Sequence, residues 1–192
     1  MEKTTLANIL RSKSSVLSFK EIILTAGEPK APLLKRRLNY YVHTGELYSI
    51  RRGLYAKNKN YDRRELATKI FIPAYISFET ILVEAGIIFQ FYSTIFVATY
   101  QTKDIVCDSQ SFSFKKIKGP ILVNSAGVED RGTYFAATKE RAFLDLLYLN
   151  NDYYLDNPYP LDFKKVFEIL PIYNNKRMEK KALAWFKKTQ EE

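Results

Sequence analysis

Between residues 30 and 52 the chain gathers side chains suited to gripping a polyanion. Lys30, Lys35, Arg36, Arg37, Arg51 and Arg52 supply cations, and Asn39, Tyr40 and His43 supply hydrogen-bonding groups among them. Arg can take guanine and Asn adenine through paired hydrogen bonds, whereas cations on phosphate oxygens position a protein without reading sequence. Spacing decides whether these groups act together. At 100° per residue, Leu34, Leu38, Tyr41 and Val42 fall on one side of a helix that starts near Pro32 and stops at Gly45. Arg36, Asn39, Tyr40 and His43 fall on the opposite side, with Lys35 and Arg37 at the borders. A recognition helix needs this distribution, although an ordinary basic surface helix shares it.

The next residues favour recognition. In "ELYSIRRGLYAKN", residues 46–58, two apolar-rich runs flank Arg51-Arg52-Gly53, the pattern of a β-hairpin turning at a glycine. Two adjacent arginines at a hairpin tip gain a partner in phosphates or in a narrow minor groove. Lys57 and Lys59 are expected to extend the same stripe.

Other elements must hold this helix and hairpin. Thr4 or Thr5 is placed to cap a first helix with Leu6, Ile9 and Leu10 on one face. Ser18 and Glu21 have capping-box spacing, Leu17 and Ile22 that of a hydrophobic staple, and Gly27 stops the second helix. Three helices followed by a hairpin is the order of a winged helix-turn-helix, assigned to residues 1–60. Residues 61–192 read as a mixed α/β domain, so the fold class is α+β. A helix begins at the Asp62–Glu65 capping-box pair and ends before Pro73, and Ser77 caps another that stops at Gly86. "STIFVATYQ", "SFSFKKIKGPILV" and "GTYFAAT" read as β-rich, with a bulge expected at Lys115-Lys116. Thr138 caps a helix containing the i,i+4 pair Arg141–Asp145, and two more helices follow near 161–170 and 175–189.

Charge sharpens the division. Residues 1–64 hold 14 Lys and Arg against 5 Asp and Glu; residues 65–192 hold 16 against 16. The net +9 therefore lies in the first third, as for a basic module attached to a neutral body. A second cationic run is local: Lys176, Arg177, Lys180, Lys181, Lys187 and Lys188 accompany only Glu179 between 176 and 188. Met178, Ala182 and Trp185 would dock that helix and leave the cations outward. They form either a solvated face or a second polyanion site, for DNA or for RNA.

Several classes are disfavoured. With one histidine and one cysteine, a His/Cys metal cluster is excluded, and neither a metal nor a cofactor is expected. No Gly-rich phosphate loop and no Asp-x-Asp pair occurs, so the chain is not expected to be an enzyme. At 46% hydrophobic residues the chain can bury a core, yet it lacks the roughly 20-residue apolar run of a transmembrane helix. No membrane partner and a cytoplasmic location are expected.

The hairpin also resembles the wing of AbiEi-type antitoxins of type IV toxin–antitoxin systems, through Leu47, Arg52, Gly53 and Tyr55. "AYISFETILVEAGI" is similar to that family's serine-capped helix, here Ser77 to Gly86, and "FAATKERAFLDLL" to its helix bearing Glu140, Leu144 and Asp145. The resemblance covers about residues 15–150. Ala85-Gly86 stands where the family often has histidine–glycine, so no role is carried over for that histidine. The resemblance implies a protein that binds inverted repeats in duplex DNA at its own promoter and represses its operon. Its C-terminal domain would oppose a cognate nucleotidyltransferase-like toxin, in systems associated with abortive phage infection and phage resistance. Neutralisation in this family need not involve a stable complex. The missing Asp-x-Asp fits the antitoxin half of such a pair.

Two other readings stay open: a winged-helix transcription factor whose C-terminal domain senses a ligand or dimerises, and a nucleic-acid enzyme delivered by the basic module. If the module contacts about six phosphates, affinity for duplex DNA should fall by roughly 10³ between 50 and 200 mM salt. A flat salt titration would contradict phosphate neutralisation.

Overall fold

Period-two burial organises the N-terminal third. The computed structural model describes residues 2–26, 31–150 and 153–190. Strands β1 (Val16–Ser18), β2 (Tyr48–Arg51) and β3 (Leu54–Ala56) form an antiparallel sheet in the order β1-β3-β2. Alternate side chains on a strand face opposite ways. Leu17 and Tyr55 accordingly pack with Ile9, Ile22, Leu34, Leu38, Tyr41 and Leu47, which come chiefly from helices α1 (Glu2–Arg11), α2 (Phe19–Ala26) and α3 (Ala31–His43). Val16, Leu54 and Ala56 face the other way and join the large core of the remaining chain. The small sheet is thus buried on both faces, with the three helices on one side and the body on the other.

Local chemistry sets the helix boundaries here. Glu21 N–H donates to Ser18 Oγ (3.2 Å), and Ser18 N–H donates back to Glu21 Oε2 (2.7 Å), so the capping box forms. Leu17 and Ile22 share one cluster, as a staple requires. Thr4 and Thr5 do not cap α1, because that helix begins at Glu2, and Leu10 is left exposed. Gly27 and Lys30 lie outside the described residues.

The body is a six-stranded mixed sheet in the order β6-β7-β5-β4-β9-β8. Its strands are β4 (Ala74–Ile76), β5 (Ile95–Thr99), β6 (Lys103–Cys107), β7 (Gln110–Lys116), β8 (Val128–Asp130) and β9 (Phe135–Ala137). Helices α4 (Arg63–Ile70), α5 (Glu79–Glu84), α6 (Gly119–Leu122), α7 (Lys139–Leu149), α8 (Phe163–Ile169) and α9 (Lys176–Gln190) pack around it. Among the described residues no helix is long and apolar enough to cross a membrane. Thr138 caps α7 as its sequence position implies.

Three local expectations are overturned by tertiary partners. Asp62 does cap α4, but Glu65 does not complete a capping box: its carboxylate takes donors from Ser15 and Val16, and Ser15 Oγ accepts the Asp62 N–H instead. Ser77 does not cap α5, because its hydroxyl donates to Asp145 (2.8 Å) and Phe78, at φ 56°, turns the chain. No bulge occurs at Lys115-Lys116: Ala98 and Thr99 pair with them in unbroken register, and Lys115 Nζ reaches Glu79 (3.0 Å). Residues 121–122 are helical rather than extended, and β1, β4, β6 and β8 were not evident from alternation.

At the centre of the body, Arg141 and Asp145 are fully buried. The five guanidinium N–H groups are all used. Nε donates to Asp145, Nη1 to the carbonyls of Asn124 and Ala126, and Nη2 to Tyr75 Oη and the Ile121 carbonyl. Asp145 also accepts from the hydroxyls of Tyr75, Ser77 and Tyr173. Burial pushes its carboxyl upward, opposed by Arg141 and those hydroxyls. Gly127 passes so close that a Cβ there would lie 2.8 Å from Arg141 Cβ and 2.7 Å from Ile169 Cδ1. Asp145→Ala leaves a buried guanidinium uncompensated and should cost about 3–5 kcal/mol in urea unfolding. A midpoint unchanged from that of the parent chain would show that the network carries no net stability.

Candidate nucleic-acid interface

α3 buries Leu34, Leu38 and Tyr41 and holds Val42 half-buried, so its polar side turns outward on the face of the small sheet opposite the body. Lys35, Arg36, Asn39, Tyr40 and His43 are exposed, and Arg37 is half-buried. The helix is 13 residues long, roughly 20 Å, and slim enough to enter a major groove about 12 Å wide.

Two clefts divide these side chains. Lys35 and Asn39 face the hairpin, where Phe19, Ser49, Arg52, Gly53 and Tyr55 complete a cleft of about 360 Å³. Arg36, Arg37 and Tyr40 face α1, where Leu6, Leu33, Tyr41 and Glu46 complete another of about 440 Å³. Lys35, Asn39 and Arg52, brought together from two elements, therefore make one compact cationic and amide-bearing site, and Arg36 sits further around the helix.

The hairpin separates its two arginines. Its turn is only Arg52-Gly53, with Gly53 at φ +80°. Phe19 N–H donates to the Gly53 carbonyl (2.8 Å), which pins the turn to the start of α2. A register shift between Ser49 and Arg51 leaves Arg51 opposite Leu54, whose side chain faces the body. Burial raises the pKa of the Cys107 thiol, opposed by the charge of Arg51. Arg52 alone enters the α3 cleft. Lys57 turns away from the stripe, its Nζ donating to the Ser12 carbonyl, whereas Lys59 is exposed with its Nζ 5.8 Å from the centre of the Tyr48 ring.

One acidic residue of the body, Asp108, helps fix this unit in place, and sequence spacing did not identify it. Asp108 Oδ2 accepts from Tyr61 Oη and Arg63 Nη1 (both 2.7 Å), and Oδ1 accepts from Tyr48 Oη of β2 (3.0 Å). Asp108 and Ser109 sit at φ 50° and 63°, a turn that non-glycine residues adopt at a cost. The one sequence signal beside it is the alternating run that begins just after it, at Gln110.

The second cationic run lies on α9. Met178 and Ala182 are buried and Trp185 is half-buried, so the helix docks by the expected side. Lys176, Arg177, Lys180, Lys187 and Lys188 are exposed and Lys181 is half-buried. Among the described residues no three His, Cys, Asp or Glu groups are placed to hold a metal ion. Compared with models of known families and with curated proteins, the sequence matches none.

Arg63, with the Tyr61 hydroxyl, holds the Asp108 carboxyl below its usual range. Its stabilising contribution is therefore present above the ordinary carboxylate pKa and is lost as pH falls through the depressed value. The stability gap between the parent chain and Asp108→Asn should be full at pH 7 and close below about pH 4. A gap independent of pH would mean that the charge of Asp108 does not hold the hairpin.

Proposed function

We propose that residues 1–60 act as a winged helix-turn-helix on duplex DNA. We further propose that the protein is an autorepressor and antitoxin of a type IV toxin–antitoxin system, opposing a nucleotidyltransferase-like toxin through residues 61–192. The observation that carries the DNA reading is the cleft in which Lys35 and Asn39 of α3 meet Arg52 of the hairpin turn. A helix presenting an amide between cations, beside a pinned turn carrying an arginine, suits base edges in the major groove with phosphates alongside. The excess charge of residues 1–64 supports the same assignment. Recognition of an inverted repeat calls for two copies, one on each half-site.

The antitoxin part rests on the resemblance. In its support, two of the segments that carry the resemblance meet in one network, where Ser77 Oγ donates to Asp145 across 68 positions of sequence. The third contributes Arg52-Gly53, the hairpin turn. No stable antitoxin–toxin complex is required by this reading.

Arg36→Ala and Asn39→Ala should each cost about 1–3 kcal/mol on the DNA upstream of the protein's own reading frame and little on random DNA, whereas Arg52→Ala should weaken both. Equal losses on both DNAs for Arg36 and Asn39 would overturn their role as base readers. In cells expressing an adjacent toxin-like reading frame, the full chain should restore growth. Rescue that survives deletion of everything after residue 64 would remove the antitoxin role from the body.

A further inference from the structure

An exposed aromatic ring of the body stands beside a cation of α9. Lys188 Nζ lies 5.7 Å from the Tyr154 ring centre and 5.1 Å from that of Trp185, so one cation bridges two aromatic faces. Tyr154 is 68% exposed. Its loop is fastened to a second one: Asn157 N–H donates to the Ile87 carbonyl (3.0 Å), and Phe89 N–H donates to Asp156 Oδ2 (2.8 Å). That second loop leaves Phe89 69% and Phe91 84% exposed. Large rings left outward on two loops that are tied to each other forgo burial, which marks a contact surface.

The chemistry of the surface selects its partner. Cations alone would suit any polyanion, but rings add nothing for a duplex, whose base faces are stacked inside. Bases of a single strand stack on aromatic side chains while lysines follow the backbone. Unpaired, splayed bases are the ordinary target presented by RNA loops and ends. We propose that α9, with loops 87–92 and 153–157, binds single-stranded RNA. Tyr154, Phe89 and Phe91 take the bases, and Lys180, Lys187 and Lys188 take phosphates. This site is separate from the α3 cleft and does not depend on the DNA reading.

Trp185 is the chain's single tryptophan, so its fluorescence reports on this surface alone. Titrating the full-length protein with an oligouridylate of about 12 nucleotides should give a saturable quench. Tyr154→Ala and Phe91→Ala should each weaken binding about tenfold, with unchanged circular dichroism because both rings are exposed. Lys187→Glu with Lys188→Glu should weaken it further and reduce its salt dependence. Duplex DNA added in excess should leave the quench in place. The proposal is overturned if the oligouridylate produces no quench, if both ring variants bind as the parent does, or if double-stranded RNA binds equally well. Equal affinity for oligothymidylate would overturn the assignment to RNA. A spectral change that follows protein concentration without RNA would make the surface a self-association contact instead.

Discussion

The carboxylate of Glu65 joins the two parts of the molecule. It stands on α4 with no solvent exposure, and one oxygen accepts from the N–H groups of Ser15 and Val16 and from the Ser15 hydroxyl. The other lies 3.1 Å from Lys69 Nζ, which also pairs with Glu21 of the α2 capping box (2.9 Å). A buried carboxylate is tolerated only with such partners, and removing one partner exposes the full cost of the charge left behind. The strand that Glu65 holds is β1. Because β1 pairs with β3, and β3 with β2, Glu65 is linked through the sheet to the hairpin turn and the α3 cleft. Asp108 secures the other side of the sheet, through Tyr48.

Under the DNA reading proposed above, this packing has a functional consequence. A recognition helix reads bases only when its register on the backbone is fixed. Here α3 is backed by a sheet whose second face is already buried against the body. Electrostatics follow the same plan: the excess positive charge lies within residues 1–64, the segment that includes α3 and the hairpin, whereas residues 65–192 are balanced overall and carry a local cationic run on α9.

Features decided by neighbours in sequence were legible. The apolar period of α3, the Ser18–Glu21 box, the Thr138 cap and the Arg141–Asp145 pair all need only residues three or four apart, and each forms as its spacing implies. Features decided across the fold were not. Glu65 and Ser77 have the spacing of capping residues, yet each finds a better partner far away, and a local rule has no view of that competition. Short strands such as β4 and β8, three residues each, carry too little alternation to announce themselves. The separation of Arg51 from Arg52 depends on a register shift opposite Leu54, which no spacing within the hairpin encodes. The exposure of the Tyr154 and Phe91 rings is set by how the loops pack, which no spacing in the sequence encodes.

The central claim is that α3 and the hairpin turn meet duplex DNA as one surface. Nuclear magnetic resonance shifts of the full-length protein, followed as duplex DNA from upstream of its reading frame is added, test it residue by residue. The largest changes are expected at Lys35, Arg36, Asn39, Tyr40 and His43 together with Arg52 and Gly53, with Arg51 and the body strands little affected. Changes confined to α9, or spread evenly over every exposed lysine and arginine, would contradict it.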